Sequence, residues 1–178
     1  MSTYKMKIAG IERELPLCPV NDKLDIAAFI MFGDVEITVA AATEILKKCP
    51  DFDYIVTPEA KSIPLAYEVS RQSGKKYFVL RKHPKVYMTD PVSVNVKSIT
   101  TNDVQTLALD SSDGNQLRGK RVLVVDDVIS TGKTLEAIEE LLSKFDVEIA
   151  ARATVLVEGD AAQRDDIIFL EELPLFFK

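Results

Sequence analysis

The sequence has 178 residues, and its 28 acidic and 22 basic side chains give a formal net charge of −6. We expect a chain of this length to form one domain with a sizeable core, and its acidic balance argues against nucleic acid as a partner. Two cysteines and a single histidine indicate neither a disulfide framework nor a zinc site. We find neither a secretory signal pattern nor an apolar run that could cross a bilayer, so we expect a cytoplasmic protein with no membrane partner.

The first half of the chain alternates predicted helices and strands. Residues 36–48 carry apolar side chains at helical spacing, and Pro50 ends the pattern. A short strand is predicted at residues 54–57, followed by a helix in IPLAYEVSRQSG that ends before Gly74. Residues 76–81 predict a buried strand, and the proline-containing basic segment after it predicts a loop.

The second half opens with two segments that alternate apolar and polar residues, VSVNVKSI and DVQTLALD, and they predict a β-hairpin. SSDGNQLRGK is predicted to form turns. RVLVV is then predicted as a buried strand, TLEAIEELLSKF as an amphipathic helix, and ARATVLVE as a strand that precedes a polar loop and a last short strand. The alternation predicts an α/β fold in which a twisted parallel sheet is flanked by helices on both faces.

The stretch VLVVDDVISTGKT carries the strongest functional signal. A buried strand leads into Asp126 and Asp127, and a helix is predicted to start near Thr134. The residues between them supply hydroxyls, backbone N–H groups and the positive end of a helix dipole, which together favour an anion. Gly132 would let the backbone approach a phosphate closely, and Lys133 would add positive charge. Ligands of parallel sheets collect at the carboxyl ends of the strands, where this stretch and the earlier PEAKS segment are both predicted to lie.

A Walker A loop is excluded, although GKT occurs in this stretch. That motif needs a glycine five positions before Gly132, and Asp127 stands there. Two carboxylates followed by a phosphate-binding loop suit a sugar phosphate instead, with the acids on ribose hydroxyls or on a metal bound to them.

The stretch resembles the phosphoribosyl pyrophosphate motif of the type I phosphoribosyltransferases. The resemblance extends through PEAKS and the helix and strand after it, and is greatest to the adenine and xanthine enzymes of the purine branch. It implies the fold of that family in a single domain over residues 1–178. The chain ends, about 1–35 and 158–178, would form a small hood, and about 84–109 would form a flap hairpin that closes over the reacting centre and excludes water.

The resemblance implies a Mg²⁺-dependent reaction of purine salvage, in which a purine base attacks phosphoribosyl pyrophosphate and pyrophosphate leaves. Asp126 and Asp127 would be the catalytic residues, because they bind the ribose hydroxyls and stabilise nearby positive charge. Mg²⁺ would be held mainly by substrate oxygens, with the same two carboxylates as its candidate protein ligands. The ribose 5-phosphate would be bound by Val128, Ile129, Ser130, Thr131, Gly132, Lys133 and Thr134.

The pyrophosphate site would be built from two segments. A cis peptide is expected between Ala60 and Lys61, as the family often has one in this loop. The basic residues would reach pyrophosphate across a dimer interface, as is common in the family, so we expect a homodimer; a solvated basic loop is the alternative. The residues concerned are Glu59, Ala60, Lys61, Ser62, Arg81, Lys82 and Lys85.

The base pocket would draw on both hood segments, with Phe29, Met31 and Glu158 as candidates, although core packing is the alternative for the apolar residues there. Ser130 stands where the hypoxanthine-guanine branch has an aspartate near the purine ring, and a serine cannot do that acid–base work. This favours the adenine-like and xanthine-like branches but leaves the base undecided, and a non-purine acceptor stays open.

The leading alternative function is a regulatory protein on the same fold that senses phosphoribosyl pyrophosphate or a nucleotide without catalysis. A DNA-binding regulator would normally add a basic helix-turn-helix region, and the acidic total counts against that form. A catalytically silent partner subunit is a further alternative.

Overall fold

The computed structural model describes residues 2–97 and 104–178. Its first three strands, β1 (Thr3–Ile8), β2 (Ile11–Asn21) and β3 (Leu24–Ala27), form an antiparallel meander. The tight turn between β1 and β2 needs positive φ at Ala9 (50°) and Gly10 (83°). The sequence analysis assigned this region to the hood but predicted no strands in it.

The remaining elements alternate helices and strands as predicted, with a short helix at Ser111–Leu117 and a two-residue strand at Phe176–Phe177 added. They are α1 (Val35–Lys48), β4 (Tyr54–Pro58), α2 (Ile63–Ser73), β5 (Tyr77–Leu80), β6 (Pro91–Lys97), β7 (Val104–Asp110), α3 (Ser111–Leu117), β8 (Arg121–Ile129), α4 (Lys133–Ser143), β9 (Glu148–Glu158), β10 (Ile167–Leu173) and β11 (Phe176–Phe177), with a 3-10 turn at Gly159–Gln163.

Five parallel strands form the central sheet in the order β10-β9-β8-β4-β5. Alternate residues of β8 enter two separate cores: Leu123 and Val125 pack with α1 and α2, whereas Val122 and Val124 pack with α3 and α4. Helices therefore cover both faces of the sheet, and the predicted α/β class is confirmed.

A charged contact joins the N-terminal sheet to the start of α1. Asp34 caps α1 by accepting a hydrogen bond from the Ile37 N–H at 3.1 Å. Arg13 on β2 donates to the same carboxylate, with its Nε 2.7 Å from Asp34 Oδ2. On the opposite edge of this sheet, β11 pairs with β3, so residues from both ends of the described chain share one sheet.

Strands β6 and β7 form the predicted antiparallel hairpin, whose predicted turn lies outside the described residues. The hairpin packs against α4 through Val94, Leu107 and Leu109. A backbone bridge between Arg81 and Ala108 fixes its second strand to the chain just after β5.

One prediction is wrong: SSDGNQLRGK is mainly helical, as α3, where turns were expected. Gly114 lets that helix pack closely against Phe145, because a Cβ built there would overlap the Phe145 ring. No helix in the described part of the chain has both the length and the apolar composition to span a bilayer.

Candidate active site

A cleft of about 550 Å³ opens at the carboxyl ends of the parallel strands. Glu59 and Lys61 line it from the turn after β4, and Asp126 and Asp127 line it from β8. Thr134, in the first turn of α4, closes another side. The two segments that the sequence analysis singled out therefore meet in one cavity.

Asp126 and Asp127 lie near the end of the central strand β8. The N–H of Asp127 donates to Asp126 Oδ1 at 2.9 Å, and the Asp127 residue is only 3% exposed. The pKa of Asp126 is raised well above its ordinary value, first because its carboxyl group is removed from water and then because the charge of Asp127 is adjacent. The pair is thus an electrostatically costly group that favours a cation or a hydroxyl donor.

Lys61 supplies a cation to this pair. Its Nζ lies 2.8 Å from Oδ2 of Asp127, while about half of the lysine side chain remains exposed. The lysine is therefore both paired and able to move towards the cleft opening.

Glu59 collects the predicted pyrophosphate-binding residues around its carboxylate. Arg81 Nε lies 2.9 Å from Glu59 Oε2, the Lys82 N–H donates to the same oxygen at 3.0 Å, and Lys85 Nζ is 3.8 Å away. Chiefly because Arg81 donates to it, the pKa of Glu59 is lowered to about 2. The cis peptide lies between Glu59 and Ala60, so the prediction of Ala60–Lys61 is wrong by one residue.

Ser62 is buried beneath the turn. Its hydroxyl accepts a hydrogen bond from Thr57 Oγ1 at 2.8 Å and donates to the carbonyl of Pro58 at 3.2 Å. The same hydroxyl also lies near the Asp126 carboxylate, where it opposes the rise in the Asp126 pKa. Ser62 therefore braces the turn against the carboxylate pair.

The connection between β8 and α4, residues 130–132, is called the phosphate loop because the sequence predicts that it binds phosphate. It is shorter than the sequence suggested, because β8 continues to Ile129 and α4 begins at Lys133. Val128 and Thr134 line the cleft, whereas the Ile129 side chain is buried in the core. Lys133 turns towards Glu136, with its Nζ 2.9 Å from Glu136 Oε2.

Gly132 and Thr131 are the other loop residues whose geometry the structure defines. Gly132 has a φ of 78° where the helix begins, in the region that favours glycine. Thr131 is exposed, and its hydroxyl oxygen lies 3.5 Å from the Lys133 N.

The three candidates for the base pocket lie in two different surroundings. Phe29 and Met31 are 5% and 1% exposed and pack in the core, so the core-packing alternative holds for both side chains. Glu158 ends β9, close to the Ser130 hydroxyl and to the charge of Lys61. Burial raises the pKa of Glu158. A role for any of the three in base binding stays a prediction.

Several residues that the structure brings here were not among the predicted site residues. His83 lines the cleft, as do Val104, Thr106 and Leu107 of the hairpin. Arg164 is a second case, because one of its nitrogens lies against Gly132. The sequence feature that could have indicated Arg164 is its position as the single arginine in the otherwise acidic loop EGDAAQRDD.

In the described ranges, 2–97 and 104–178, no group of three or more His, Cys, Asp and Glu side chains is arranged to hold a metal ion. Three carboxylates line the cleft: that of Glu59 is already held by Arg81 and the Lys82 N–H, whereas those of Asp126 and Asp127 form an adjacent pair of candidate donors. Mg²⁺ is commonly held by one or two carboxylates together with substrate phosphates, so this donor pair fits it.

A family model described as "Phosphoribosyl transferase domain" matches residues 34–172. The purine biosynthesis transcriptional repressor PurR of Bacillus subtilis (strain 168) is 32% identical over 110 residues, which is 62% of this chain but only 38% of the repressor. The adenine phosphoribosyltransferase of Saccharopolyspora erythraea is 34% identical over 152 residues, which cover 84% of this chain and 79% of that enzyme.

Among solved structures, the adenine phosphoribosyltransferase from Thermoanaerobacter pseudethanolicus ATCC 33223 matches with a TM-score of 0.72. The match covers 89% of this chain and 95% of that chain at 19% sequence identity. At that identity the likeness concerns the fold.

Proposed function

Because the chain belongs to the phosphoribosyltransferase family, we propose that it transfers the 5-phosphoribosyl group from phosphoribosyl pyrophosphate to a purine base in purine salvage. The products are a nucleoside monophosphate and pyrophosphate. The single observation that carries the proposal is the cleft in which the carboxylate pair, the turn after β4 and the start of α4 face one another.

Each part of the substrate has a counterpart in the cleft. The 5-phosphate binds the backbone N–H groups of the phosphate loop and of the first turn of α4, where the helix dipole favours an anion. The ribose hydroxyls donate to Asp126 and Asp127. Pyrophosphate lies on the turn after β4, within reach of Lys61 and of the basic residues around Glu59.

Positive charge develops on the ribose as pyrophosphate departs. The Asp127 carboxylate stabilises that charge, because it is held in a site largely removed from water. Lys61 leaves Asp127 and follows the departing pyrophosphate, so the carboxylate becomes free when the ribose needs it. The hairpin β6–β7 closes over the cleft and excludes water, which would otherwise compete with the base.

Mg²⁺ is the proposed cofactor, held by substrate oxygens with Asp126 and Asp127 as protein ligands. When bound, it neutralises charge on the pyrophosphate leaving group. A cytoplasmic location and a homodimer also belong to the proposal; exposed apolar side chains at Phe32 and Val35 support the latter.

The test measures nucleotide formed from phosphoribosyl pyrophosphate and Mg²⁺ with adenine, xanthine, hypoxanthine, guanine, uracil or orotate. We expect turnover with one purine, and a loss of about 100-fold or more in Asp126→Asn and in Asp127→Asn. Asp22→Asn, in the exposed turn between β2 and β3, is the matched control and keeps wild-type activity.

The second candidate is a sensor of phosphoribosyl pyrophosphate without catalysis, favoured by the 32% identity to the repressor PurR. In that case the wild-type protein binds phosphoribosyl pyrophosphate, but none of the six bases gives nucleotide. That outcome would exclude the salvage function and leave the binding site intact.

A further inference from the structure

Arg164 is held at a fixed position next to the phosphate loop. It follows the 3-10 turn after β9, and its guanidinium forms a bidentate pair with Asp166: Nε lies 2.8 Å from Oδ1 and Nη2 lies 2.7 Å from Oδ2. The pairing raises the pKa of Arg164 and lowers that of Asp166. A planar guanidinium anchored along one edge still has a nitrogen, Nη1, available for another partner.

The remaining nitrogen lies against the phosphate loop. A Cβ built on Gly132 would be 3.0 Å from Arg164 Nη1, closer than most real contacts of a Cβ atom. Glycine is favoured at this position by its φ of 78°, and its lack of a Cβ also lets the guanidinium approach the loop backbone. A Cβ here would shift the Arg164 guanidinium by a few tenths of an ångström.

Lys133, the cation within the motif itself, has a different orientation. Its Nζ pairs with both oxygens of Glu136, at 2.9 and 3.1 Å, one turn further along α4. Lys133 must break this contact to reach an anion at the loop. Arg164 can donate from Nη1 while its contacts with Asp166 stay in place.

We propose that Arg164 binds the 5-phosphate of the phosphoribosyl group, donating from Nη1 to a phosphate oxygen held by the loop, while Asp166 orients the guanidinium. The inference rests on the proposed function, which places a phosphate at this loop. It adds a ligand from outside the motif and connects the segment between β9 and β10 to substrate binding.

Isothermal titration calorimetry with ribose 5-phosphate and, separately, with pyrophosphate tests the inference. Since a hydrogen bond to a charged group contributes about 1.5–3 kcal/mol, we expect Arg164→Gln to weaken ribose 5-phosphate binding by about 10- to 100-fold and to leave pyrophosphate binding unchanged. Arg164→Lys keeps the charge but loses the bidentate contact, so it should bind with intermediate affinity. The matched control, Arg121→Gln, removes a cation at the opposite end of β8 and changes neither affinity.

Asp166→Asn is a second variant that keeps the guanidinium and loosens its anchor, and we expect it to weaken ribose 5-phosphate binding less than Arg164→Gln does. If Arg164→Gln binds ribose 5-phosphate like the wild type, the inference is wrong and the proposed function stands. An equal loss of both anions in that variant would indicate general damage to the cleft and would also contradict the inference. Failure of the wild-type protein to bind either anion would overturn the proposed function together with it.

Discussion

Two of the basic side chains predicted to bind pyrophosphate already have partners of opposite sign within the protein. Lys61 pairs with Asp127, and Arg81 pairs with Glu59. If these cations bind pyrophosphate as proposed, the anion must replace a carboxylate at each of them. The existing ion pairs hold the cations close to the proposed site, and the need to break them reduces the net gain in electrostatic energy on binding.

The Glu59 contact predicts a pH-dependent stability. We expect Glu59→Gln to lower the melting temperature at pH 7, because Arg81 and the Lys82 N–H lose their ionised acceptor. The pKa of Glu59 in the folded protein, about 2, is below that of an unfolded chain. The stabilisation is therefore complete above the unfolded value and is lost as the pH falls towards 2.

Circular dichroism melts of both proteins between pH 7 and pH 3 measure this effect as the difference in melting temperature. The difference should narrow as the pH falls, and a constant difference would contradict the assignment. Glu172→Gln, exposed on β10, is the control and should change the melting temperature little.

The site residues differ in how far sequence could predict them. Asp126 and the loop up to Thr134 are contiguous, so the order of residue types alone carries the signal. Arg164 reaches the same loop only because β9 and the turn after it return the chain to the start of α4, which no local pattern records. The burial of Met31 likewise depends on packing between distant elements.

At the level of elements, strands and helices with regular periodicity were predictable. The strand β1 and the helix α3 were not predicted, for two different reasons. TYKMKI in β1 does alternate, with Ile8 buried and Lys5 and Lys7 exposed, so its signal was present but was not used. The helix α3 could not be predicted from SSDGNQL, because serine, aspartate, glycine and asparagine all favour turns. Packing of Gly114 against Phe145 overrides that preference.

This contact predicts the effect of a small substitution in α3. Gly114→Ala places a methyl group where the Phe145 ring lies, so we expect a loss of about 1–3 kcal/mol in the free energy of unfolding despite the better helix propensity of alanine. Chemical denaturation measures the change. Asn115→Ala, at the next and exposed position of α3, is the control and should be neutral or stabilising. Equal stability of Gly114→Ala and Asn115→Ala would contradict the packing argument.

At the scale of the whole molecule, the two cores are covered but some apolar side chains remain outside. Val35 is 72% exposed, and Phe32 and Tyr67 are each 56% exposed. Val35 and Tyr67 lie on α1 and α2, which pack against each other, and Phe32 lies in the turn before α1. These three side chains are the candidates for an apolar surface that the proposed homodimer would cover.

The dimer is tested by placing a charge on this surface. We expect the wild-type protein to sediment as a dimer and Val35→Glu to shift it towards the monomer, because a carboxylate would be buried without a partner. The change should not disturb α1 itself, since acidic residues stabilise the first turn of a helix. Val20→Glu, on the N-terminal sheet, is the matched control at 55% exposure. If Val20→Glu dissociates the protein and Val35→Glu does not, the interface lies elsewhere.

The pairing of β11 with β3 has a consequence for how the protein is made. Phe176 pairs with Asp25, and Lys178 Nζ lies 2.7 Å from the same aspartate. The first three strands leave the ribosome early, yet the partner of β3 is translated only after every strand of the central sheet. Throughout that interval β3 presents an open strand edge, the kind of surface that pairs with other chains and that chaperones shield. Emergence of β11 is therefore the step that closes this edge.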